Sequence, residues 1–154
     1  MILLIRCDKE VKNFNNWTTA FNRDLLDIKE VFDNNDISTF LIYKKKLPDE
    51  IRKSFHQKRG CSSLSTLDFT FIKEECMIFY HADVIQEETD SKIIEDLFNY
   101  CHINNKHLIL QFSLETQHLV NHICNGSEVY ILREQVESYL KVIDRELKLN
   151  RLLN

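Results

Sequence analysis

Glycine and proline are scarce in this chain. Gly60, Gly126 and Pro48 are the only such residues among 154, where average usage would give about eleven glycines and eight prolines. The shortage excludes sites that depend on the backbone freedom of glycine. No Gly-x-Gly-x-x-Gly turn, no Gly-x-x-x-x-Gly-Lys phosphate loop and no Gly-x-Ser-x-Gly nucleophile elbow can be written on the sequence. Enzymes that rely on side-chain acid–base or metal chemistry are not excluded.

Long apolar runs and targeting signals are also missing. No stretch approaches about 18 consecutive apolar residues, so we expect no transmembrane helix. Residues 1–5 are apolar, but charged residues follow immediately, which is typical of a first strand and not of a signal peptide. The five cysteines are scattered and form no Cys-x-x-Cys pair, which indicates a reduced, cytoplasmic protein. No cofactor is predicted.

The apolar periodicity alternates between strand-like and helix-like segments. We therefore predict an α/β fold, with one domain over residues 1–154 and helices packed on a mixed sheet of about five to six strands. The predicted element order is βαβ(α)ββαβαβα. Strands are predicted at 2–5, 38–43, 67–71, 76–81, 108–112 and 129–132, and helices at 17–32, 49–58, 93–101, 115–124 and 136–147. The polar residues 73–75 between two of the strands suggest a hairpin, and hence an antiparallel pair.

Asparagine is predicted to replace glycine at the turns, because it tolerates positive φ and can bond its own backbone. Doublets at 15–16, 34–35 and 104–105 interrupt the apolar pattern and are interpreted as loops. The glycosylation sequon at 125–127 is likewise interpreted as a turn. We expect Asn16 and Asp90 to cap the helices that follow them.

The densest set of potential metal ligands is Glu115, His118 and His122, with Cys124 just beyond. On a helix the first three share a face and could bind zinc or iron. The alternative is that the apolar residues between them face the core while the histidines face water. The zinc-peptidase pattern places a glutamate between its histidines, and this segment does not. We therefore favour the second interpretation and predict no metal.

Two other groups could support catalysis. His81 and Asp83 follow a predicted strand on one face, where the carboxylate could orient the imidazole as a general base. A polar strand end that meets solvent explains the pair equally well. Arg59, two residues before Cys61, could activate that thiol as a nucleophile, although no partner histidine is identifiable from the sequence.

A magnesium-nuclease pattern can also be written on the chain. It consists of Asp68 followed by Asp90-Ser91-Lys92, in which two carboxylates would hold the metal and the lysine would stabilise charge. In a chain with 29% charged residues, such short matches arise easily by chance. The pattern is therefore a weak indication of nuclease activity.

Charge is unevenly distributed along the chain. Residues 44–59 contain seven basic and two acidic residues, and residues 73–96 contain eight acidic and two basic ones. Within the basic segment, backbone amides and hydroxyls could hold an anion. The candidate anion-binding residues are Lys58, Arg59, Gly60 and Ser62. A nucleic-acid partner is not favoured, because the segment lacks interleaved aromatics and the whole chain has a net charge of −4.

The acidic segment is the leading candidate for a functional surface. Carboxylates attract a cationic partner and fix its orientation, and an inhibitor of a basic nuclease needs such a surface without any catalytic residue. We therefore predict a non-enzymatic protein-binding domain, of the immunity or antitoxin type, that binds a basic protein. The predicted partner-binding residues are Glu74, Glu75, Asp83, Glu87, Glu88, Asp90, Glu95 and Asp96.

Two alternatives remain open from the sequence. The first is a phosphate-handling enzyme, a nuclease or nucleotide hydrolase, which works from the Cys61 loop or from His81 and Asp83. The second is a homo-oligomer in which the last helix packs against a second copy. The helix residues that would form this contact are Val136, Tyr139, Leu140, Ile143 and Leu147.

Overall fold

The structure, a computed structural model, describes residues 1–7, 14–43, 49–56, 61–63, 68–80, 88–114, 117–123 and 129–153. Its strands are β1 (Ile2–Cys7), β2 (Thr39–Tyr43), β3 (Cys61–Ser63), β4 (Cys76–Tyr80), β5 (His107–Ser113) and β6 (Val129–Leu132). Its α-helices are α1 (Phe14–Asn34), α2 (Asp49–His56), α3 (Glu88–Ile103), α4 (Gln117–Ile123) and α5 (Val136–Leu153). Short 3-10 turns cover Phe69–Phe71 and Arg133–Gln135.

The strands form one sheet in the order β3-β2-β4-β5-β1-β6, and every described pairing is parallel. Five strands are four to seven residues long, and the three-residue β3 adds one edge. Strands β1, β4 and β5 contain apolar runs without alternation, as expected for strands that are buried on both faces. The predicted α/β class and the predicted number of strands are confirmed.

The predicted hairpin is wrong. Phe69–Phe71 is a 3-10 turn and not a strand, and β4 pairs in parallel with both β2 and β5. The carboxylate of Asp68 accepts hydrogen bonds from the backbone N–H of Thr70, at 3.1 Å, and from the Thr70 hydroxyl. These local bonds close a turn where a ladder would otherwise form. Leu67, the first residue of the predicted strand, lies outside the described residues.

Helices cover both faces of the sheet, which a parallel sheet needs because its strands are apolar on both sides. Leu3 and Ile5 of β1 pack with α1, α2 and α5 on the face that we call the α1–α5 face. Ile2 and Leu4 pack with α3 and α4 on the opposite face, which we call the α3–α4 face. The result is a three-layer, doubly wound α/β architecture.

Helices α1 and α3 begin earlier than predicted. Helix α1 starts at Phe14, so the doublet at 15–16 lies inside the helix and Asn16 does not precede it as a cap. Helix α3 starts at Glu88, so Asp90 is likewise internal. A cap residue is worth only about 1 kcal/mol, whereas fully burying Ile28 or Phe32 of α1 contributes about 1.5–3 kcal/mol each. Packing therefore outweighs the cap preference.

The other two asparagine doublets lie at turns, as predicted. Positive φ angles occur just after α1 and α3, at Asp36 (59°) and Asn105 (54°). The side-chain amide of Asn35 donates to the carbonyl of Val31 at 2.7 Å and to the carboxylate of Asp144 at 2.8 Å. Asn35 therefore satisfies a carbonyl in the last turn of α1 and links that helix to α5.

Helix α5 packs against the core with the same face that was predicted as a possible oligomer contact. The core on the α1–α5 face contains or touches Val136, Tyr139, Leu140, Ile143 and Leu147. These side chains therefore already have partners within the chain, and a second copy would have to use another face of α5. In the described part of the chain, none of the helices combines the length and apolarity needed to span a membrane.

Candidate functional site

Two topological switch points lie at the carboxyl edge of the sheet. Strand β1 leads to α1 on one face, whereas its neighbour β5 leads to α4 on the opposite face. The two connections therefore lead to opposite faces of the sheet from the strand ends at Cys7 and Ser113, and we call this switch point the β5–β1 crevice. Strands β2 and β4 form a second switch point of the same kind at Tyr43 and Tyr80. Doubly wound sheets bind their ligands in crevices of this type.

The direction of β4 decides which edge of the sheet the chain reaches before the His81–Asp83 pair. Strand β4 is parallel to both neighbours and ends at Tyr80, so the strand runs toward the carboxyl edge that ligands use. His81 and Asp83 themselves lie outside the described residues. Their role as a general base and its orienting group stays a prediction.

Arg6 holds a positive charge beside the β5–β1 crevice. It is the next-to-last residue of β1 and pairs in register with Phe112 of β5. Its guanidinium donates a hydrogen bond to the side-chain oxygen of Gln117 on α4 and lies 5.2 Å from the centroid of the Tyr130 ring. That ring in turn packs edge-on against Phe112, with centroids 6.0 Å apart. A hydrogen bond and an aromatic face therefore orient the half-buried charge.

Gln111 lies on the other face of the same pair of strands. It pairs in register with Ile5, one position before Arg6, and is 0% exposed. Neither its amide oxygen nor its amide nitrogen has a hydrogen-bond partner. Among the described residues, only Gln111 and Asn35 have a buried side-chain atom without a partner, and Asn35 is bonded through its nitrogen.

A buried ion pair joins α1 to the turn that follows β6. The Nε of Arg133 donates to the carboxylate of Asp24 at 3.0 Å, and Asp24 is only 6% exposed. Burial raises the pKa of Asp24 to about 6, because the loss of hydration outweighs the attraction of the guanidinium. The pair ties α1 to the start of α5 and is a structural contact.

The structure describes two of the four candidate metal ligands. His118 and His122 are exposed on α4, whereas Val120 between them is buried. Glu115 and Cys124 lie outside the described residues. Within the ranges that the structure describes, no three His, Cys, Asp or Glu side chains are placed to hold a metal ion. The positions on α4 agree with the interpretation that its histidines face water.

The structure describes one of the four candidate anion-binding residues, and the anion-binding role stays a prediction. Ser62 lies in β3 and pairs with Ile42 of β2, so its backbone is extended. Cys61, the candidate nucleophile, begins the same strand. Lys58, Arg59 and Gly60 lie outside the described residues.

The nuclease pattern receives no support from the contacts in the structure. Asp68 accepts hydrogen bonds from Thr70 within its own turn and does not lie on a strand. The ammonium group of Lys92 lies 3.6 Å from the carboxylate of Asp96, one turn along α3. Asp68 and Lys92 therefore each have a partner within their own turn or helix.

The acidic segment is divided between the two ends of the sheet. Glu74 and Glu75 precede β4 at the amino edge, where the carbonyl of Glu75 accepts a hydrogen bond from the His107 N–H at 2.9 Å. Glu88 and Asp90 begin α3 at the carboxyl edge. Helix α3 has 16 residues, which corresponds to a length of about 24 Å. Asp83 and Glu87 lie outside the described residues, and Glu95 and Asp96 lie along α3.

Two thiols near the amino edge are structural. Cys76 and Cys101 are free and buried, and the Sγ of Cys101 lies 3.7 Å from the Sδ of Met77. Burial raises the pKa of Cys76 well above its ordinary value and that of Cys101 to about 12. Both groups therefore remain neutral thiols of low reactivity.

Sequence reasoning missed the residues that flank the β5–β1 crevice. Arg6 has a sequence signal, because it is the charged residue that directly follows the apolar run of the first strand. Gln111 has one as well, because it interrupts the apolar run of β5 between Leu110 and Phe112. Neither signal says which strands are neighbours, and the pairing of β1 with β5 joins segments about a hundred residues apart.

The fold and crevice define a doubly wound α/β protein with a candidate ligand site between β5 and β1. No protein-family model matches the sequence, and no curated protein matches it.

Proposed function

We propose that this protein binds a small phosphate-bearing ligand of the nucleotide class in the β5–β1 crevice, with Arg6 as the charge partner of the phosphate. The observation that supports this most directly is the divergence of α1 and α4 to opposite faces of the sheet. The carboxyl ends of two such strands form the crevice in which doubly wound folds bind nucleotides.

The shortage of glycine specifies how the phosphate would be held. Nucleotide-binding turns normally use glycine so that backbone amides can approach the phosphates, and the sequence between β1 and α1 contains none. A side chain must then supply the charge. Arg6 is suited to this role because its planar guanidinium matches phosphate geometry, and its contacts with Gln117 and Tyr130 hold it in place.

The proposal develops the phosphate-handling alternative from the sequence. It is preferred to binding of a basic protein because the structure divides the acidic segment between opposite edges of the sheet. Binding of a basic partner through the acidic residues stays a prediction. Cys76 and Cys101 are buried free thiols. Free thiols are consistent with a reducing, cytoplasmic location.

The test is calorimetric titration with ribose 5-phosphate, comparing the parent protein with Arg6→Met and Arg6→Lys. Charge-assisted hydrogen bonds contribute about 1.5–3 kcal/mol, so Arg6→Met should weaken binding by about 12- to 140-fold. Arg6→Lys should bind with intermediate affinity, because lysine retains the charge but not the planar fork.

Arg145→Met is the matched control. Arg145 is exposed on α5, so this change removes the same charge away from the crevice and should leave the affinity unchanged. Equal affinities of the parent and both Arg6 variants would refute the assignment of Arg6. If the parent protein binds neither ribose 5-phosphate nor any nucleotide, the proposed function is wrong.

A further inference from the structure

Gln111 is an unusual residue for the core of this sheet, because its side chain is polar and fully buried. Its neighbours on the α1–α5 face are apolar and include Ile5, Ile109 and Ile131. A primary amide offers two N–H donors and an acceptor oxygen, and none of these is used. A buried polar group without a partner is destabilising, and folded proteins rarely keep one unless a ligand, an ion or a water completes it.

Gln111 lies near the carboxyl edge of the sheet. It lies two residues before the end of β5 at Ser113, which is about 7 Å of strand from the carboxyl edge. Its register partner Ile5 directly precedes Arg6. The amide and the guanidinium therefore lie at adjacent levels of the two strands that form the crevice, on opposite faces of the sheet.

We propose that Gln111 binds the base of the nucleotide whose phosphate Arg6 holds, an inference that rests on the proposed function and specifies its ligand as a nucleoside monophosphate. The amide oxygen accepts a hydrogen bond from a base N–H, and the amide nitrogen donates to a neighbouring base acceptor. Every nucleobase edge offers such a pair of groups, and glutamine reads adenine in this bidentate way. Gln111 is thus the specificity-determining residue of the site.

The amide without a partner makes a second, separate prediction about the free protein. Gln111→Met keeps the length of the side chain and removes both unpaired atoms. The free variant should therefore be more stable than the parent, with a melting temperature higher by roughly 2–12 °C. The same substitution should weaken nucleotide binding, so that stability and affinity change in opposite directions. A residue with only a packing role would not give this result.

The experiment is calorimetric titration with AMP, GMP, CMP and UMP, each compared with ribose 5-phosphate. We expect at least one nucleotide to bind the parent protein more tightly than ribose 5-phosphate does. Gln111→Met should weaken binding of that nucleotide by about 5- to 140-fold and leave binding of ribose 5-phosphate unchanged. The control is Ile109→Met, which introduces the same side chain two residues earlier on the same face and should preserve the affinity for both ligands.

The outcomes separate this inference from the proposed function. If ribose 5-phosphate binds and no nucleotide binds more tightly, the base-reading role of Gln111 is wrong while the phosphate site stands. If neither ribose 5-phosphate nor any nucleotide binds, both proposals fail. If Gln111→Met lowers the melting temperature and leaves nucleotide affinity intact, Gln111 holds an internal water only, and the inference is overturned. Gln111→Leu repeats the test in case the methionine variant does not fold.

Discussion

The buried carboxyl of Asp24 makes the stability of this protein depend on pH in an unusual direction. Its pKa is raised from 3.8 to about 6 in the folded chain, so the folded state holds the proton more tightly than the unfolded state does. The contribution of Asp24 to stability is therefore complete below about pH 3 and is lost as the pH rises through about 6. The difference in pKa corresponds to about 3 kcal/mol.

The perturbation that isolates this effect is Asp24→Asn. Asparagine does not titrate, and its oxygen can still accept the hydrogen bond from the Nε of Arg133. We expect the free energy of unfolding of the parent minus that of the variant to fall by about 3 kcal/mol between pH 3 and pH 7. A difference is needed because other groups also titrate, including His107, whose pKa burial lowers to about 4.

The assay is urea denaturation at half-unit pH intervals. With a urea slope of about 2 kcal/mol per molar, the midpoint difference between the two proteins should change by about 1.5 M. Carbon NMR of the Asp24 carboxyl should titrate with a midpoint near the pKa of about 6. A stability difference that stays flat across this range, or a carboxyl that titrates near its ordinary value, would refute the reasoning.

Asp144→Asn is a control with the opposite sign. Hydrogen bonds from Lys148 and Asn35 lower the pKa of Asp144, so its contribution to stability is present above its ordinary pKa and is lost as the pH falls. The stability difference between the parent and this variant should therefore shrink on acidification, whereas the difference for Asp24→Asn should grow in favour of the parent.

Two further predictions concern contacts that join distant elements. Asn35→Ala removes the hydrogen bonds to Val31 and Asp144 and should lower the free energy of unfolding, measured by urea denaturation, by about 2 kcal/mol. The control Asn34→Ala should lie within about 0.5 kcal/mol of the parent. Equal losses for the two variants would contradict the role of Asn35. Lys106→Met removes two hydrogen bonds, to the carbonyl oxygens of Ile72 at 2.8 Å and Glu74 at 3.1 Å. It should lower the free energy of unfolding by about 1.5–3 kcal/mol and make amide hydrogen exchange at 72–75 faster. Unchanged exchange there would show that Lys106 does not hold this segment.

Much of the fold could be predicted from local pattern. Apolar runs in the sequence correspond to β1, β2, β4, β5 and β6, and helical spacing corresponds to α1, α3 and α5. The prediction went wrong where one local interaction competed with the pattern. At 67–71 the alternation of apolar and polar residues is typical of a strand, but the side chain of Asp68 bonds to Thr70 and forms a turn. Such competition is decided by individual hydrogen bonds, which periodicity does not report.

The candidate site could not be predicted to the same degree. The sequence drew attention to clusters that are close along the chain, such as the anion loop near Cys61 and the acidic segment. In the structure Ser62 belongs to an edge strand, and the carboxylates at 74–75 and at 88–90 lie at opposite edges of the sheet. The groups that the fold brings together, Arg6 and Gln111, are separated by about a hundred residues and join only through the pairing of β1 with β5.

Local periodicity and residue types alone specify the α/β class, five of the six strands and the lack of any glycine-based phosphate loop. Long-range packing makes the described strand pairings parallel, places β1 between β5 and β6 and directs α1 and α4 to opposite faces of the sheet. Strand order is set by how helices of given length and apolarity cover both faces of the sheet at once. This is a property of the whole chain that no single segment encodes.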